Sequence, residues 1–153
     1  MGAHPYWYVV PYEDDIEGAL QKLRQREFQA GRYNPVVPFP EFPITVSTAS
    51  PGAQHDSIDD VLAAANEDGT RSILDIAQVS SEPFDGSQMP FFTAFPISDS
   101  YLEELFGTSR PTRQVAETND SMWERIERGS AVYVVLFADD TPREILFAGY
   151  SFD

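Results

Sequence analysis

The spacing of apolar and polar residues differs along the chain, and the residues near its two ends predict strands. Residues 6–12, YWYVVPY, are aromatic and β-branched, which predicts a first strand with Pro11 at its end or on a sheet edge. Residues 131–138, AVYVVLFA, and residues 143–152, REILFAGYSF, flank a short turn and predict a C-terminal hairpin. We therefore expect both ends of the chain to meet in one sheet.

Helical periods occupy much of the sequence between these strands. In residues 13–31, apolar side chains three and four positions apart form one face of a helix that begins at Asp14 or Asp15 and ends at Gly31. Serine caps and terminal glycines predict three shorter helices, in residues 57–69, 98–107 and 121–129. Residues 110–118 predict one or two further helical turns, and residues 70–79 are a further strand candidate.

Two irregular segments carry many rigid or aromatic residues. Residues 32–54 contain five prolines, which exclude a helix and a central strand, so we expect an extended segment that covers the core. A junction between two domains is the alternative, but the roughly 35 residues before it are too few to bury a core. Residues 80–96 contain Phe84, Phe91, Phe92 and Phe95, which predict either a packed loop or an exposed binding patch.

Together the elements predict a single α+β domain over residues 1–153. It has a mainly antiparallel sheet with a C-terminal hairpin, and helices packed on one face. The 153 residues, 42% of them hydrophobic, are enough for one core. The chain has no cysteine, no signal-peptide pattern and no apolar run longer than eight residues, so we expect a soluble cytoplasmic protein without membrane contact.

The charge balance narrows the class of partner. The chain has 25 acidic and ten basic residues, a net charge of -15. Such a charge repels phosphate backbones, which argues against direct nucleic-acid binding, and it favours a basic protein partner. A solubility bias, or the composition of a high-salt or GC-rich genome, is the alternative explanation.

Familiar catalytic and metal patterns are missing from the sequence. His4 and His55 have no ligand spacing, no phosphate-binding glycine loop occurs, and no GxSxG elbow occurs. Acidic pairs are typical of caps, helix surfaces and turns. We therefore predict no catalytic residue, no metal and no cofactor.

Three polar groups at element boundaries are candidate ligand-binding residues. In the sharper hypothesis, Arg32, Arg71 and Tyr150 converge on one pocket for a small polar ligand. In the plainer one, the arginines neutralise nearby carboxylates and the Asn-Pro pair initiates a turn. The full candidate set is Arg32, Tyr33, Asn34, Arg71, Ser72, Asp75, Tyr150, Ser151 and Asp153.

The segments LRQREFQAGRYNPV, DGTRSILDI, LFGTSRPTRQVAE and REILFAGYSFD together resemble an uncharacterised family of small bacterial proteins. The resemblance implies one intact bacterial domain and no activity. From the residues, the leading hypothesis is a non-enzymatic interaction protein that binds a basic protein, as immunity proteins and nucleic-acid mimics do. The alternatives are a ligand-binding domain or enzyme using Arg32, Arg71 and Tyr150, and a helper domain that self-associates, with no prediction of oligomeric state.

Overall fold

A five-stranded mixed sheet organises the protein, in a computed structural model that describes residues 3–38, 41–83 and 89–152. The sheet order is β1-β5-β4-β3-β2. The two long pairings, β1 with β5 and β5 with β4, are antiparallel as predicted, whereas β3 pairs in parallel with both β4 and β2. The strands are β1 Pro5–Pro11, β2 Gln78–Val79, β3 Thr93–Pro96, β4 Ala131–Ala138 and β5 Thr141–Tyr150.

The two ends of the chain meet in this sheet, which confirms the prediction. Tyr6 lies opposite Gly149, and beyond the strand His4 donates its backbone N–H to Ser151 Oγ at 2.9 Å. Asp139 and Asp140 form the hairpin turn with φ of 53° and 59°. Positive φ at both turn residues matches the right-handed twist of the flanking strands.

Helices begin at the predicted caps. Asp15 accepts a hydrogen bond from Gly18 N, Ser57 from Asp60 N, and Ser98 from Tyr101 N. The helices are α1 Ile16–Ala30, α2 Ile58–Ala65, α3 Asp99–Phe106 and α4 Arg113–Glu117, and the 3-10 turns are Asn66–Asp68, Ile73–Asp75 and Ser121–Arg125. Within the described ranges, no helix is both long and apolar enough to cross a membrane.

The prediction that helices cover one face is wrong, because they cover both. Ile145 and Phe147 of β5 belong to a core with α1, which we call the first face. Leu146 and Ala148 belong to a core with α3, α4 and the Ser121–Arg125 turn, which we call the second face. Since β4 and β5 are apolar on both sides, both sides must be covered.

Two other predicted elements differ from the structure. Of residues 70–79, only Gln78–Val79 is a strand and Ile73–Asp75 is a 3-10 turn, because Ser72 Oγ accepts from Leu74 N and Asp75 Oδ1 accepts from Thr70 N. Such local side-chain bonds compete with strand pairing. In residues 121–129 the predicted helix is replaced by a 3-10 turn over Ser121–Arg125, before which Asn119 Oδ1 accepts the N–H of Ser121, and by an isolated bridge of Arg128 with Tyr150.

The proline-rich segment covers the core, as predicted. Val37 and Ile44 are buried on the first face, and Ile44 forms a parallel bridge with Tyr6. Pro40 of this segment lies outside the described residues.

Candidate functional site

Three of the predicted ligand residues meet around one loop, residues 69–75. The side-chain amide of Asn34 donates to the Gly69 carbonyl at 2.9 Å, and its backbone N–H donates to the Thr70 carbonyl at 2.8 Å. Thr70 Oγ1 and Ser72 Oγ lie 2.9 Å apart. Asp75 Oδ1 accepts from Thr70 N at 2.8 Å. Asn34, Ser72 and Asp75 thus belong to one hydrogen-bonded unit.

The proposed meeting of Arg32, Arg71 and Tyr150 does not occur. The Arg71 guanidinium lies 5.3 Å from the centre of the Phe42 ring, which packs on the first face. Tyr150 lies on the second face, so the sheet separates the two side chains. Arg32 instead binds Glu27 with its Nε and NH2 groups at 2.8 and 2.7 Å.

Three further candidates have structural partners or lie outside the described residues. Tyr33 is buried, and its hydroxyl lies 2.9 Å from His55 Nδ1. Ser151 is buried and bound to His4. Asp153 lies outside the described residues. Within those residues, no group of three or more histidines and carboxylates is placed to hold a metal ion.

Among the buried polar side chains with an atom that lacks a hydrogen-bond partner in the described part of the chain, Asp75 is the one carboxylate. Its exposure is only 4%, and Oδ2 has no hydrogen-bond partner among the described residues. Burial raises the pKa of the Asp75 carboxyl, while hydrogen bonds from Thr70 and from the Arg71 N–H and the charge of Arg24 act in the opposite direction. A buried carboxylate with a free oxygen gains stability from any donor that reaches it.

Asp75 lines a pocket of about 540 Å³, which we call the acidic groove. Gly69 has a φ of +69°, and a Cβ there would lie 3.0 Å from Asp75 Oδ2, so glycine leaves room beside the carboxylate. Arg24 lies on the wall, where burial lowers the pKa of its guanidinium. The groove is lined by Arg24, Leu62, Asn66, Glu67, Gly69, Leu74, Asp75, Ala77, Phe92 and Phe152.

The groove has an exposed apolar wall. Leu62 of α2 is 37% exposed, and Phe92 is 50% exposed with its ring centre 5.3 Å from that of Phe152. Phe91, 52% exposed, contacts the same two rings. Of the predicted aromatic loop, Phe95 is therefore packed in the core, Phe91 and Phe92 form an exposed patch, and Phe84 lies outside the described residues.

Exposed carboxylates are present on the two elements that carry Leu62 and Glu67 of the groove. Asp59, Asp60, Glu67 and Asp68 are all exposed on α2 and the turn that follows it. Residues 33–109 contain 12 of the 25 acidic residues and one of the ten basic residues, Arg71. The charged side chains of α2 and the turn that follows it are therefore all negative, whereas Arg24 places a positive charge on the groove wall. At physiological salt the field of each exposed charge extends about 8 Å before screening.

No protein-family model matches the chain, and no curated protein or solved structure matches it. The site must be interpreted from its own chemistry. Sequence reasoning missed Arg24, Glu67 and Gly69, whose helix, turn and loop come together only in the fold. The cluster of phenylalanines in residues 80–96 was the signal that pointed to this region.

Proposed function

We propose that this chain is a non-enzymatic binding protein whose acidic groove takes a cationic side chain of a basic protein partner. One observation carries the proposal: an exposed apolar wall surrounds a buried carboxylate, Asp75, whose Oδ2 has no partner among the described residues. The class is that of toxin-neutralising immunity proteins and nucleic-acid mimics, whose acidic surfaces bind basic proteins.

The chemistry of lysine and arginine fits both parts of the groove. Their apolar stems pack on surfaces such as that of Phe92 and Leu62, while their charged ends seek carboxylates. A cation near Asp75 would favour its ionised form, offsetting the burial that raises its pKa. Exposed apolar side chains beside the carboxylates add contact area that charge alone does not supply.

The exposed carboxylates of Asp59, Asp60 and Glu67, which we call the rim, attract a basic partner before the two proteins touch. Complementary charge raises association rates well above the neutral range of about 10⁵–10⁶ M⁻¹s⁻¹ and weakens with added salt. Glu67 lines the groove, and Asp59 and Asp60 are exposed on α2, the helix that carries Leu62, so neutralising these three should slow association more than removing the same charge elsewhere.

Site-specific cross-linking in cells of the source organism tests the proposal. A photoreactive phenylalanine at position 62 lies in the groove, and one at position 114 lies on exposed α4 as the matched control. We expect the first probe, and not the second, to capture a basic protein. Capture of nothing at position 62, or of an acidic protein, would contradict the proposal.

Binding by the purified pair then separates the groove from net charge. The triple variant Asp59→Asn, Asp60→Asn and Glu67→Gln should weaken binding by about tenfold or more. Its control, Asp99→Asn, Glu103→Gln and Glu104→Gln, removes equal charge from the exposed surface of α3 and should change binding less than threefold. Equal losses would refute a role for the groove.

A further inference from the structure

A second pocket, of about 470 Å³, lies on the second face of the sheet. Three aromatic side chains from distant parts of the chain line it: Trp7 of β1, Tyr150 of β5 and Trp123 of the Ser121–Arg125 turn. The ring centres of Trp7 and Trp123 are 6.2 Å apart, and those of Trp123 and Tyr150 are 5.4 Å apart. We call this group the aromatic cage.

Strand register explains why the cage forms. Trp7 pairs with Ala148 and Pro5 pairs with Tyr150, so Trp7 and Tyr150 are diagonal neighbours on the same face. Ala148, which lies opposite Trp7, is fully buried on this face. The turn carrying Trp123 is anchored through the buried Met122.

The rings pack edge to face rather than in parallel stacks. The planes of both pairs meet at 74°, so the three rings face different directions around the space. The face of an aromatic ring is negative, and tryptophan attracts a cation more strongly than the other aromatic residues do. Among the described arginines, stacking on a ring occurs at Phe42, Phe137 and Tyr101, and at no ring of the cage.

Two carboxylates complete the pocket. Glu117 lines it but binds Arg113 at 2.7 Å, which neutralises much of its charge. Asp120 also lines it, and its side chain makes no hydrogen bond or ion pair with the described residues. The remaining wall includes the apolar side chains of Pro5, Met122 and Leu146.

We propose that the aromatic cage binds a small quaternary ammonium compound, with the rings of Trp7, Trp123 and Tyr150 around its methyl groups and Asp120 supplying the counter-charge. A fully methylated nitrogen has no N–H to satisfy, so an apolar wall suits it. A primary ammonium holds its water strongly and would lose hydrogen bonds on entry. The cage lies across the sheet from Asp75, and this inference does not depend on the groove.

Choline is the probe, and its neutral carbon isostere 3,3-dimethylbutan-1-ol is the control ligand. Trp7 and Trp123 are the only two tryptophans, so tryptophan fluorescence reports on the cage alone, and the N-methyl proton resonance gives a second signal. We expect saturable choline binding with an upfield methyl shift from the ring faces, and binding of the alcohol at least tenfold weaker. Equal binding of both, or no choline binding below about 10 mM, would overturn the proposal.

Variants separate the cage from net charge. Tyr150→Leu should weaken choline binding by several-fold to about thirtyfold, whereas Tyr150→Phe should retain most of it. Asp120→Asn should weaken binding more than Glu124→Gln, which removes the same charge from an exposed position of the same turn. Circular dichroism confirms folding of each variant. Loss with Tyr150→Phe equal to that with Tyr150→Leu, or equal effects of the two charge removals, would contradict the assignment.

Discussion

Glu27 is a fully buried carboxylate in α1. Its ion pairs with two arginines allow the contribution of a buried charge to the free energy of unfolding to be tested. Arg32 binds it twice, at 2.8 and 2.7 Å, and Arg26 binds it once, at 3.0 Å. The side chain of Arg32 is 12% exposed and that of Arg26 is 41% exposed. The hydrogen bond with Glu27 is the main cause that raises the pKa of Arg32. The two arginines therefore differ in bond number and in solvent screening.

Removal of Arg32 should destabilise the protein far more than removal of Arg26. Arg32→Met leaves a buried carboxylate with one partly exposed partner, and loss of one member of a buried pair costs about 3–5 kcal/mol. We expect about 3 kcal/mol, since some water reaches Arg32, which corresponds to a fall in Tm of roughly 6–12 °C. Arg26→Met removes one bond near solvent and should cost about 1 kcal/mol or less.

Urea unfolding of a double-mutant cycle measures the coupling. Glu27→Met combined with Arg32→Met removes both charges and should recover stability to within about 1 kcal/mol of the unmodified chain. The coupling energy between the two positions should then be about 2–3 kcal/mol. If Arg32→Met and Arg26→Met lower the free energy of unfolding equally, or if the double variant is no better than Arg32→Met, the reasoning from burial is wrong.

Three further predictions test local features of the fold. Gly31 has a φ of +74°, and Gly31→Ala would place a Cβ against the backbone of Gly52. Gly107 has a φ of +76° with open space around it, so Gly107→Ala should lower the free energy of unfolding in urea by about 1–2 kcal/mol and Gly31→Ala should lower it further. Equal losses would contradict the clash at Gly31. Asp140→Gly should raise the free energy of unfolding by about 1 kcal/mol, because it relieves a φ of 59° in the hairpin turn, and a loss would contradict this. Asp75→Asn should raise Tm at pH 7 but not near pH 3. The folded state holds the Asp75 proton more tightly, so the unmodified chain loses stability as pH rises from about 3.9 through the raised pKa; an equal gain at both pH values would contradict it.

Local signals allowed much of the fold to be predicted. Asp15, Ser57 and Ser98 cap their helices by accepting hydrogen bonds from residues three positions later. Both partners of each bond therefore lie in the same short stretch of sequence, where the pattern can be recognised. The two strands of the C-terminal hairpin are also close in sequence, so their pairing is predicted from neighbouring residues. Coverage of both sheet faces was missed, although the near-continuous apolar run of β4 indicated it, because no local pattern shows which helix packs on which face. The apolar pattern of residues 70–79 predicts a strand, but only Gln78–Val79 forms one, because two side-chain bonds to the backbone fold the residues before it into a 3-10 turn.

The candidate sites depended on contacts between distant residues. Asn34 and Ser72 were singled out separately, and only the fold joins them through the Gly69–Thr70 backbone. The sequence predicts that Tyr150 and Arg71 share one site, yet the sheet separates them and places Tyr150 beside Trp7 and Trp123. The acidic composition predicts a basic partner, but composition does not indicate which part of the surface would bind it.

Salt distinguishes the two ways in which the groove and the cage attract cations. The rim of the groove acts through exposed carboxylates, whose field is screened beyond about 8 Å at 0.15 M salt and about 3 Å at 1 M. The cage acts on a cation in contact with the rings of Trp7, Trp123 and Tyr150, a distance at which little salt intervenes. From about 0.05 to 0.5 M salt, we expect tenfold or greater weakening of the protein partner and less than threefold weakening of choline. If choline binding falls as steeply as partner binding, net charge and not the aromatic rings holds the cation, and the cage has no role of its own.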